Sequence, residues 1–74
     1  MSLYDSVFDA AQNSVVVFTT RMCRNLTKDL EIFDESAVYV SKIERHPRPM
    51  PSVIVSYIDC YGLEQTFNWG FTNA

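Results

Sequence analysis

Seventy-four residues, 47% of them hydrophobic and 20% charged, give one folded domain and exclude both a second core and a disordered segment. The net charge of −3 comes from the first half: residues 1–35 hold three basic and six acidic side chains, residues 36–74 three of each. That balance disfavours general phosphate-backbone binding, which depends on Lys and Arg displacing counterions, and suits a basic partner surface.

Two cysteines and the lack of a basic, apolar leader point to the cytoplasm, where Cys23 and Cys60 are expected to be free; a Cys23–Cys60 disulfide is the secondary reading. The sequon Asn25-Leu26-Thr27 has no meaning without secretion. The longest apolar run, Val15–Phe18, is too short to span a bilayer, so no membrane partner is expected.

In chain order, residues 3–12 read as an amphipathic helix. Leu3, Val7, Phe8, Ala10 and Ala11 form one stripe, with Asp5, Ser6, Asp9 and Gln12 facing away. Ser2 is the expected N-cap, Asp5 suits the first turn, and Asn13 stops the helix. Ser14–Thr20 is expected to be a central strand, because six of its seven residues are β-branched or aromatic and pack well on a pleated surface. In residues 21–35, Met22, Leu26, Leu30 and Phe33 recur at helical spacing, while Leu30-Glu31-Ile32 alternates like a strand. A short helix leading into a strand or turn at Asp34-Glu35-Ser36 is the reading adopted.

Ala37–Glu44 and Ser52–Asp59 read as strands. Between them, His46-Pro47-Arg48-Pro49-Met50-Pro51 carries prolines at alternate positions, which stiffen the loop and forbid helix or sheet pairing there. Cys60-Tyr61-Gly62 reads as a hairpin loop with Gly62 in the left-handed position. Leu63–Phe71 alternates, with Leu63, Gln65, Phe67, Trp69 and Phe71 on one side. The expected fold is therefore α+β: a four- to five-stranded antiparallel meander, curling toward a small barrel, with an N-terminal helix packed on it.

Three clusters are candidates for function. The aromatic comb Phe67, Trp69 and Phe71 ends near the C-terminus, where covering material runs out, so Trp69 and Phe71 are candidate contacts. Lys42, Arg45, His46 and Arg48 surround the stiff proline loop, whose low entropy favours binding, although loops also gather charge simply for solubility. Asp29, Glu31, Asp34 and Glu35 form an acidic group that reads first as a solvated surface and second as a contact for a basic partner. No glycine stands where a calcium loop needs one, and two cysteines with one histidine do not make a zinc site, so neither metal nor cofactor is expected. A Cys–His nucleophile would require His46 to meet Cys23 or Cys60 from a distant loop, and no enzyme is indicated.

The resulting expectation is a non-catalytic protein-binding module that occludes a surface of a larger partner through Arg45, His46, Arg48, Tyr61, Trp69 and Phe71. How often phages and mobile elements make such small acidic proteins, rather than any residue, extends this to a stoichiometric anti-defence or anti-CRISPR inhibitor. Two alternatives stand beside it. One is single-stranded nucleic-acid binding on the sheet, with Tyr57, Tyr61 and Trp69 stacking bases while Lys42, Arg45 and Arg48 hold phosphates. The other is a small homo-oligomeric subunit joined through an exposed edge strand.

Overall fold

A computed structural model describes residues 2–14, 17–46 and 52–70. Within them the chain is α+β, with helices α1 (Leu3–Gln12) and α2 (Thr20–Phe33) followed by strands β1 (Ala37–His46), β2 (Ser52–Asp59) and β3 (Glu64–Trp69). The strands form one antiparallel sheet in the order β1-β2-β3.

Helix α1 begins with a capping box. The Ser2 side chain accepts from the Asp5 N–H, and the Asp5 carboxylate accepts from the Ser2 N–H. Val7, Ala10 and Ala11 are buried as their spacing predicts. Ser6 is also buried, against expectation, because it serves the sheet. Its Oγ accepts from the Val40 N–H at 2.9 Å and donates to the Leu3 carbonyl at 2.6 Å.

The Ser14–Thr20 strand is not formed in the described part of that segment. Residues 17–19 carry no strand, and Thr20 opens α2; Val15 and Val16 lie outside the described residues. The reason lies in the two threonines. Thr19 is the N-cap, its Oγ1 accepting from the Met22 N–H at 3.1 Å, so a pair that suits a strand by propensity is taken as a helix start. Phe18 turns into the core and stacks on Trp69, with ring centroids 5.9 Å apart. The described residues thus contain three strands where four or five were expected, and no closed barrel. Along α2, Cys23, Leu26, Thr27 and Leu30 form the buried stripe.

Strand β2 sits between its neighbours and alternates without fault. Val53, Val55, Tyr57 and Asp59 are buried toward the helices, and Ser52, Ile54, Ser56 and Ile58 are half-buried on the other face. Strand β1 pairs irregularly, with register shifts between Ala37 and Tyr39 and between Val40 and Lys42. Each shift inserts one residue, so the residues facing the helices are spaced by three: Ala37, Val40 and Ile43. Both helices cover the same sheet face, where Val7, Leu26, Leu30, Val40, Val53, Val55, Tyr57 and Trp69 close one core. At the β2–β3 turn Gly62 has φ +80°, the left-handed conformation expected of it.

Replacing Ser6 with Ala removes the partner of a buried main-chain N–H at Val40. Urea unfolding of Ser6→Ala is expected to show a loss of about 1–2 kcal/mol, more than an exposed Ser→Ala change produces.

Candidate interaction surface

Two carboxylates organise one end of the molecule. Asp34, at the C-cap of α2, accepts from the Ser36 hydroxyl at 2.6 Å, the Ser36 N–H at 2.9 Å and the Tyr57 hydroxyl at 2.7 Å. Asp59, at the end of β2, accepts from the N–H groups of Tyr61 and Leu63 at 2.9 and 3.0 Å and from Gln65 Nε2 at 3.3 Å. The Cys60 N–H donates to the Ser36 carbonyl at 2.8 Å and joins the two arrangements. A helix end, a strand start and a hairpin tip are thereby held in one fixed relation.

The bonding shifts the titration of the groups involved. The Ser36 hydroxyl, with help from Tyr57 and the Ser36 N–H, holds the Asp34 carboxyl below its ordinary value. The Leu63 N–H does the same for Asp59, outweighing the burial that opposes it. Burial, reinforced by the bond to Asp34, pushes the Tyr57 hydroxyl up to about 12.

This junction presents apolar side chains to solvent. Ile32 and Phe33 precede it, Val38 and Tyr39 follow it, and Tyr61 and Leu63 form the hairpin tip. Together they are six of the eight large hydrophobic residues that are exposed among the described residues. Tyr61 is 80% exposed, Ile32 76%, and Phe33 and Leu63 59% each. Phe33 rests on the half-buried Phe67 with ring centroids 4.7 Å apart, so this ring is anchored to the core. Exposed Glu31, Glu35 and Glu64 lie on the same segments and give it an acidic rim.

The residues singled out from sequence are not brought together. Trp69 is core: it is 7% exposed, stacks on Phe18 and donates through Nε1 to Asp29 Oδ2 at 2.8 Å. Material expected to run out at the C-terminus is supplied from the other end of the chain, by α2 and Phe18. Trp69 is therefore part of the core and not of the open surface. Arg45, opposite Val53, and His46, opposite Ser52, lie at the far end of β2 from Tyr61, about 20 Å away at a strand's rise per residue. Only Tyr61 belongs to the apolar end. Arg48, Phe71 and the proline loop lie outside the described residues. The basic cluster is divided as well, since register sets Lys42 and Arg45 on opposite sheet faces and Lys42 pairs with Glu44 at 3.3 Å.

The acidic group is partly consumed by structure, Asp29 by Trp69 and Asp34 by Ser36 and Tyr57. Among the described residues no three His, Cys, Asp or Glu side chains gather as a metal site. Both cysteines are free, Cys23 buried and Cys60 exposed. Cys23 lines an open groove of about 500 Å³ between the end of α1 and the start of α2, and burial raises its thiol, favouring the protonated, poorly nucleophilic form. His46 and Cys60 stand at opposite ends of β2. Among the described residues no helix is long and apolar enough to cross a membrane.

Sequence reasoning passed over Phe33 and Leu63 as contacts, and Ile32 with them. The available signal was positional, because apolar residues beside a helix stop and a glycine turn lie where cover is scarce. Comparison with protein-family models, with curated proteins and with solved structures yields no match for this chain.

Asp34 and Asp59 have lower values folded than unfolded, so their contribution is present above about pH 4 and lost as pH falls below it. Tyr57 has a raised value, so its contribution is complete below about pH 10 and lost as pH rises toward 12. Tyr57→Phe is expected to cost about 1–2 kcal/mol at pH 7, with the deficit relative to wild type shrinking between pH 10 and 12, as read by urea unfolding across that range.

Proposed function

We propose that this chain is a small non-catalytic protein-binding module that occludes a surface of a larger partner, acting as a stoichiometric inhibitor. The observation that carries the reading is the apolar end, where six large side chains stand in solvent on a junction tied by two fully used carboxylates. Exposed hydrophobic groups on a single-domain chain cost solubility, and a rigid display of them lowers the entropy lost on binding. Tyr61 supplies the kind of amphipathic ring that dominates interface energies, with Ile32, Phe33 and Leu63 beside it. The acidic rim selects a partner whose matching apolar patch is bordered by Lys or Arg, and it makes association faster at low salt. The origin of such an inhibitor in a phage or mobile element, directed at a defence complex of the CRISPR kind, is the narrower form of the same proposal.

Nucleic-acid binding by stacking on the sheet is the weaker reading. Tyr57 and Trp69 are 1% and 7% exposed beneath the helices, which leaves Tyr61 alone of the three rings open to a base. An acidic rim beside it repels phosphate.

A tagged wild-type chain purified from the cells that make it is expected to retain a larger protein in fixed ratio. A variant with Ile32→Ser, Tyr61→Ser and Leu63→Ser is expected to bind that protein about a hundredfold more weakly while unfolding near the wild-type urea midpoint. Arg45→Ala, at the other end of β2, is expected to bind as wild type. Equal retention by the triple variant would reject the apolar end as the contact surface.

A further inference from the structure

We propose that the chain pairs with a second copy of itself along β3, in antiparallel register centred on Thr66, to form a continuous six-stranded sheet.

The two sheet edges are built differently. At the β1 edge, two bulges break the ladder, Lys42, Glu44 and Arg45 add charge, and Ser6 takes the outward Val40 N–H. These are the devices by which edge strands avoid adding another chain. Among the described residues strand β3 is plainer: its pairing to β2 runs without a register shift from Glu64 to Trp69, it contains no proline, and its only charge is Glu64.

The ladder phase shows which main-chain groups are open. The Asp59 N–H donates to the Leu63 carbonyl, which makes 59 and 63 a hydrogen-bonded pair. Alternation then directs Gln65, Phe67 and Trp69 toward β2, and leaves the N–H and C=O groups of Glu64, Thr66 and Asn68 pointing off the sheet.

These three residues complement themselves about a two-fold axis. With Thr66 opposite the partner's Thr66, Glu64 falls opposite the partner's Asn68, and Asn68 opposite the partner's Glu64. Each pair exchanges two main-chain hydrogen bonds. The lone charge of the strand meets an amide that can donate to it, and no like charges oppose each other. Threonine at the axis is well suited to a cross-strand pair with itself. A shift of two residues, to a centre at Glu64, would set the two carboxylates against each other. Charge rejects that register, the Thr66 register pairs all three outward residues with one another, and a closed two-fold pair consumes the edge on both copies.

This pairing shares Glu64 with the rim of the apolar end but uses none of its apolar side chains, which it leaves to a different partner. Its test is the dimer dissociation constant by sedimentation equilibrium at low salt, with variants of the exposed Asn68. Asn68→Lys sets two Lys–Glu pairs across the axis and is expected to tighten the dimer about fivefold; Asn68→Glu sets two Glu–Glu pairs and is expected to weaken it about fivefold. Both effects are expected to shrink in high salt. Urea unfolding of each variant at a concentration where it is monomeric checks that the subunit is intact. A wild-type chain that stays monomeric near millimolar concentration overturns the proposal, and so do lysine and glutamate variants with equal dissociation constants.

Discussion

Tyr57 reaches from the middle strand of the sheet to the carboxylate that ends α2, and the geometry of the molecule depends on that bond. A short sheet has one face to bury and needs helices held over it at a set angle. Here the connection is made at the point where α2 stops, so the helix end, the start of β1 and the β2–β3 turn become a single body. The ring of Tyr57 is buried with Val53 and Val55, while its hydroxyl meets an ionised partner at the edge of the core. Hydrogen bonds to charged groups are among the stronger ones, and placing this one at the border of the core gives a small domain a fixed corner.

Trp69 performs a matching task along α2, through Phe18 just before the helix starts and Asp29 in its C-terminal half. It accepts Phe18 on its face and offers its N–H to Asp29, which covers the last strand with material from the first half of the chain. Between these two anchors α2 lies over the sheet, and α1 fills the remaining area above β1 through Val7, Ala10 and Ala11. Ser6 adds a polar contact that binds α1 to the irregular edge of β1. The fold thus uses polar side chains as fasteners at its margins and aliphatic ones in its centre. That division suits a domain whose core is too small to hold position by burial alone.

The same economy explains what is left outside. Residues at the fastened junction are fixed by hydrogen bonds rather than by packing, so apolar side chains there can stand in water without loosening the fold. Tyr61 and Leu63 are exposed because the main chain beneath them is held by Asp59. Phe33 is exposed on one side because its other side already rests on Phe67. Order without burial is what a docking surface requires, since little entropy remains to be lost when a partner arrives.

The α+β class, α1 with its Ser2 cap, the strand Ser52–Asp59 and the left-handed Gly62 turn were all legible in the chain, because each depends on residues within a few positions of one another. The helix through Met22, Leu26 and Leu30 was legible only in part, as a short helix leading into a strand or turn, where the structure runs a single helix from Thr20 to Phe33. What the sequence left open was decided between distant residues. Val17–Thr20 has strand propensity, yet Thr19 caps a helix and Phe18 serves Trp69, since burying an aromatic ring against another gains more than local preference costs. The first strand was legible as a strand, but not the spacing of three that turns Ala37, Val40 and Ile43 inward, because bulges are set by what the neighbouring strand and α1 offer. Trp69 was legible as a large apolar ring, but its burial depended on whether another element would reach it. Exposure is a property of two surfaces meeting, and local pattern describes only one of them.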